Sequence, residues 1–197
     1  MGQYYMPILG NETGERWVVY NRTIDKEYTT GKLLEHSWWN NGFCNALSAK
    51  LYKKKRRLIW CGDYADKPND FNFKIDTSKR TPSYKSIWGD KVKKIGIKKK
   101  YFTLDNKFLV NHDTKEYLDL QEYKHNSATT YSDGYVDWIN PLPLLTAVGN
   151  GRGGGDFYHA IEGEDKVGIW AWNLISIETE PPKDYKKIDI RFIENTR

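Results

Sequence analysis

The sequence predicts a single α+β domain spanning residues 1–197, a mostly antiparallel sheet with one or two helices at about residues 32–54 packed on it. Three observations lead there: short β-branched and aromatic runs recur along the chain, helical spacing is concentrated in one segment, and polar turn-forming stretches separate them. A chain of 197 residues is long enough to bury about 70 % of its unfolded surface in one core.

Tyr4 to Leu9 and Arg16 to Tyr20 flank the turn-forming Gly10-Asn11-Glu12-Thr13-Gly14, a pattern that predicts a hairpin. Leu33, Leu34, Phe43, Leu47 and Leu51 then include helical spacings. Asn40-Asn41-Gly42 interrupts that pattern, so one helix from near Lys32 and two short helices joined by a bend both fit. Leu58-Ile59-Trp60-Cys61 is too short for a helix and apolar throughout, which predicts a buried strand.

A polar stretch with Pro68 and Pro82 predicts a long loop at about residues 67–86, a length that usually carries function. Tyr101 to Leu104, Phe108 to Val110 and Glu116 to Leu120 predict a three-strand meander. Beyond the polar interval Lys124 to Gly134 comes Tyr135 to Ile139, and then Pro141-Leu142-Pro143-Leu144-Leu145, whose prolines bar a central strand. Val167 to Trp172, Leu174 to Thr179 and Ile188 to Ile193 read as further strands.

The aromatic share is 15 %, with 8 Trp and 14 Tyr, too many for every ring to be interior. Because Trp and Tyr carry a polar atom, they also suit pocket walls and contact surfaces. The net charge of +5 is unevenly placed, in the runs Lys53 to Arg57 and Lys91 to Lys100, either of which suits phosphate or a solvated surface. A nucleic-acid partner at these runs ranks behind a small ligand.

Cys44 and Cys61 are the two cysteines, and each reads as a packed, reduced thiol. No apolar stretch approaches eighteen residues and no leader is evident, so the expectation is a cytoplasmic protein with no membrane partner. His36, His112, His125 and His159 lack metal-ligand spacing, and no cofactor or metal is expected.

Five glycines in seven positions, in Gly149-Asn150-Gly151-Arg152-Gly153-Gly154-Gly155-Asp156, form the most informative feature. Such backbone can turn with positive φ or approach a ligand, and successive amides can cradle an anion. Asn150, Gly151, Arg152, Gly153, Gly154 and Asp156 are therefore candidate ligand-binding residues, with Arg152 for phosphate and Asp156 for a ribose hydroxyl or for Arg152 itself. Trp38, Trp39 and Tyr64 are the candidate aromatic faces. For an enzyme the candidates are His36 and Glu35, adjacent in Glu35-His36-Ser37-Trp38-Trp39, and Asp63 and Asp66, just beyond the predicted buried strand.

Met1-Gly2-Gln3-Tyr4-Tyr5, Leu34-Glu35-His36-Ser37-Trp38, Gly62-Asp63-Tyr64-Ala65-Asp66 and the Gly-rich loop together resemble a family of small, uncharacterised proteins of Gram-positive bacteria and their phages. The resemblance spans nearly the whole chain and brings no assigned activity. It implies an accessory role such as counter-defence in the bacterial host cell. Three functional classes follow: a non-enzymatic module that sequesters a nucleotide or other phosphorylated ligand, an inhibitor that blocks a host protein or nuclease through its aromatic and basic surface, and an enzyme acting on a phosphorylated or glycosidic substrate.

Overall fold

In a computed structural model describing residues 3–65 and 93–195, the central strands are apolar on both sides because both sides are covered. Strands β1 (Tyr5–Gly10) and β3 (Arg56–Gly62) pair antiparallel, with Tyr5 opposite Gly62 and Gly10 opposite Arg57. Side chains alternate across a strand. Tyr5, Leu9, Leu58 and Trp60 enter the main core, while Met6, Ile8, Ile59 and Cys61 enter a smaller one on the opposite face.

The remaining strands of the sheet are β2 (Trp17–Thr23), β4 (Lys94–Ile97), β5 (Phe108–Asn111), β6 (Glu116–Asp119), β9 (Ala147–Val148), β11 (Leu174–Glu178) and β12 (Lys186–Lys187). Among the described residues the order is β12-β6-β5-β11-β3-β1-β2-β4, with β9 parallel to the C-terminal half of β3. Outside this sheet, β7 (Ala128–Thr130) pairs with β8 (Val136–Trp138), and β10 (Ile161–Glu162) with β13 (Ile193–Glu194). The result is a single α+β domain with a dominant mixed, mainly antiparallel sheet and a few short helices packed against it.

Of the two helical readings, the bend is the one observed. Helix α1 is a single turn, Leu33–His36, and α2 runs from Gly42 to Leu51. Asn41 starts α2 by accepting from the amides of Phe43 and Cys44 at 2.9 and 3.1 Å, so the residue that interrupts the pattern is the cap of the second helix. Phe43, Leu47 and Leu51, four residues apart, bury one face of α2.

Several expectations need correction. Val167 to Trp172 is a series of turns, because Gly168 and Trp172 take left-handed φ of 78° and 59°. Ile188 to Ile193 is not a continuous strand; only Lys186–Lys187 and Ile193–Glu194 pair on either side of it. Tyr101 to Leu104 forms no strand, so the meander reduces to β5 and β6. The last strand of that meander stops at Asp119, whose carboxylate caps helix α3 (Leu120–Asn126), which runs into the predicted polar interval. Pro141 to Leu145 is helix α4, begun by Asn140 with proline in the first turn, where its missing N–H costs nothing. The loop predicted at about residues 67–86, together with Asp66 and Lys91, lies outside the described residues.

Cys44 and Cys61 form no disulfide and are both buried, on α2 and β3 respectively. Burial pushes the Cys44 thiol well above its ordinary range. Native protein is therefore expected to leave DTNB unreacted over minutes, whereas guanidinium-unfolded protein releases two equivalents of thiolate; fast reaction of the native form would contradict this packing.

Candidate functional site

The four segments quoted for the resemblance meet at one end of the β1–β3 pair. Gln3, immediately before β1, is fully buried. Its Oε1 accepts from the Tyr5 hydroxyl at 2.7 Å and from the amides of Asn150 and Gly151 at 2.7 and 3.3 Å. A Cβ at Gly149 would sit 2.3 Å from Gln3 Oε1 and 2.5 Å from the Tyr5 oxygen, and one at Gly62 only 2.5 Å from Gln3 Nε2. The glutamine thus excludes a side chain at Gly149 and at Gly62. The amide of Tyr4 donates to Asp63 at 3.2 Å, and that of Leu34 to the Gly155 carbonyl at 3.1 Å, which brings in the two other segments.

Within the loop, the Asp156 amide closes onto the Gly153 carbonyl and the Tyr158 amide onto that of Gly151. Asn150 Oδ1 accepts from the Arg152 amide at 3.1 Å. Those amides are occupied. The amides of Gly153, Gly154 and Gly155 donate to no described group, and residues 152–155 are exposed. The amides left open for an anion are therefore those at the tip of the loop, not all of them.

Asp156 lies beneath that tip with 1 % of its surface exposed. Oδ1 accepts from the Phe157 amide at 3.0 Å, and Oδ2 is buried with no hydrogen-bond partner of normal length among the described residues. Burial raises its pKa to about 7, against the opposing pull of the Phe157 amide, the Tyr5 hydroxyl and Lys32. Burial, followed by the nearness of Asp156, also raises the Tyr5 hydroxyl. Burial raises Asp63 in turn. Asp156 forms no salt bridge with Arg152 among the described residues, and a ligand on the outside of the loop would not reach it. Its role is to order the loop from below.

His36 is likewise internal. Its Nε2 accepts from Trp60 Nε1 at 2.8 Å, and the two rings stack with centroids 5.5 Å apart. Accepting at Nε2 assigns the proton to Nδ1, which is buried and makes no hydrogen bond of normal geometry with the described residues. Burial lowers the pKa to about 4, opposed by the Lys32 backbone. Ring and charge state both make it a structural histidine, not an exposed general base. Glu35 accepts from the Lys32 amide at 3.0 Å and lies 3.7 Å from Lys32 Nζ, so it closes the α1 turn.

The predicted aromatic faces divide. Trp39 is buried, stacked on Tyr123 at 6.3 Å, with the Lys124 ammonium 5.2 Å from its ring centre and its amide bonded to the Trp138 carbonyl. Trp38 is half-buried against the same core. Among the described residues, neither indole makes a hydrogen bond or ring contact with the Gly-rich loop. Tyr64 is exposed and adjoins Asp63. The exposed aromatic group beside the loop was not singled out in the sequence. Tyr158 carries the Arg152 guanidinium 5.7 Å from its ring centre, and the His159 ring lies 3.9 Å from that of Tyr158. Its position two residues beyond Asp156 was the available signal.

Family models, curated proteins and solved structures give no match to this chain. Among the described residues, no group of three or more His, Cys, Asp or Glu is placed to hold a metal ion, and no helix is long and apolar enough to cross a membrane.

Proposed function

We propose that this chain is a non-enzymatic binding module that captures a nucleotide or similar phosphorylated ligand on the outer face of the Gly-rich loop. The observation that carries the reading is the exposed Arg152 guanidinium, held over Tyr158 with no carboxylate partner among the described residues, beside three undonated loop amides. A guanidinium and backbone amides together suit phosphate, and the paired rings of Tyr158 and His159 offer a stacking face for a base. Gln3, Tyr5 and Asp156 hold the loop in place from below, which lowers the ordering cost of binding. The burial of His36 and Asp156 supports sequestration over turnover, and sequestration is the form that a counter-defence role would take.

The test is a thermal-shift screen against mono-, di- and cyclic nucleotides, with each hit recovered and checked for chemical change. Ligand at 100 times its Kd is expected to add about 2.7 kcal/mol, a rise of several degrees for a chain of this size. Arg152→Ala is expected to weaken binding at least tenfold without lowering the unliganded melting temperature by more than about 2 °C, since its guanidinium is exposed. No shift with any compound sinks the proposal and turns the search to a protein partner. A hit recovered as a different compound turns it to an enzyme.

A further inference from the structure

We infer that a second site, separate from the Gly-rich loop, binds a single strand of nucleic acid. A groove of about 990 Å³ runs between α2, the β1–β2 hairpin and the segment 98–100. Arg16, Lys50, Lys54, Arg56, Lys98 and Lys100 line it, and none of these six is ion-paired with a described residue. Lys99 lines it too and pairs with Glu27. No Asp or Glu is among the lining residues, so a run of like charge faces itself across a concave surface. Such a surface concentrates potential and releases counterions when phosphates displace them.

The two basic runs of the sequence, far apart in the chain, meet here. They are sorted by the strand: Arg57 turns away to a 2.8 Å ion pair with Asp113, while Arg56 and Lys54 line the groove. Trp17 and Tyr20 border it as well, but Trp17 is half-buried against the smaller core on the other face of the sheet, and Tyr20 is buried in the main core, where burial raises its hydroxyl against the pull of Arg56. The floor is Leu9, Gly10, Ala46 and Ala49, small or apolar groups that leave room for a base. Cations along a concavity with a small, apolar floor suit an unpaired strand, which is flexible enough to follow the groove with its phosphates. A duplex is read instead by elements that project into its grooves.

The experiment is fluorescence anisotropy with labelled dT12 and rU12, set against a 12-base-pair duplex and polyglutamate. Wild-type protein is expected to bind both single strands in 50 mM salt and to weaken about 50-fold by 200 mM, the dependence for four phosphate contacts. Lys54→Glu/Lys98→Glu is expected to lose at least 30-fold at 50 mM, and Lys54→Gln/Lys98→Gln about tenfold, with unchanged circular dichroism. Arg152→Ala is expected to bind the strands as wild type does, which keeps this result independent of the nucleotide reading. Absence of binding at 50 mM, equal binding by the charge-reversed variant, tighter binding of the duplex, or equal binding of polyglutamate would each overturn the inference.

Discussion

Trp60→Ala is expected to lower the unfolding free energy by about 5 kcal/mol. Trp60 is fully buried in β3, its ring meeting Phe43 edge-on at 6.1 Å and stacking on His36. Truncating a buried aromatic costs about 3–5 kcal/mol, and the His36 Nε2 left without its 2.8 Å donor adds roughly 1–3. Set against the usual 5–15 kcal/mol for a whole domain, the loss is a third or more of the total. At about 2–4 °C per kcal/mol for a chain of this size, the melting temperature should fall by roughly 10–20 °C. Trp60→Phe keeps most of the packing and removes the N–H, so it should lie in between, near 2–3 kcal/mol. Urea titration of the three proteins separates the contributions. A Trp60→Phe midpoint equal to wild type would mean that the bond to His36 adds nothing to stability.

That packing was only half legible in the sequence. The apolar run Leu58 to Cys61 announced a buried strand, and its both-faced burial follows from the alternation now seen in β1 and β3. Phe43, Leu47 and Leu51 likewise announced α2, and the glycine density of residues 149–155 announced an unusual loop. What spacing cannot reveal is a long-range partner. His36 and Trp60 are 24 residues apart, so a local reading left His36 as a possible base. Gln3 and Asn150 are 147 apart, so nothing local shows that the glutamine, not a ligand, occupies the first amides of the loop. Trp38 and Trp39 were chosen for their chemistry, but their position in the chain does not say which side of the bend they pack. Helices α3 and α4 were missed because their starts, Asp119 and Asn140-Pro141, are also turn signals, and the packing of Leu120, Tyr123, Leu142 and Leu145 decides the matter.

His36 and Asp156, both buried in the same region, should give the protein two opposed pH dependences. Asp156 holds its proton up to about pH 7 in the folded state, against an ordinary value of 3.8. Between those values the folded protein binds a proton that the unfolded chain has released, so this group's contribution falls as pH rises. His36 behaves the other way. Its folded pKa of about 4 lies below the ordinary 6.5, so between them the unfolded chain binds the extra proton and stability rises with pH. Each slope is about 1.4 kcal/mol per pH unit, and they cancel where both act, from about pH 4 to 6.5. Removing either partner should uncover the other. Asp156→Asn, which cannot ionise, is expected to lose about 3 kcal/mol relative to wild type as pH falls from 6.5 to 4. His36→Gln, whose amide oxygen can still accept from Trp60, is expected to lose about 3 kcal/mol relative to wild type as pH rises from 4 to 7. Urea midpoints at pH 4, 5.5 and 7 read both changes directly. Two variants running parallel to wild type would show that neither group is held in the charge state its burial requires, whereas slopes of opposite sign would identify the base of the Gly-rich loop as a dry site carrying one neutral acid and one neutral imidazole near pH 6.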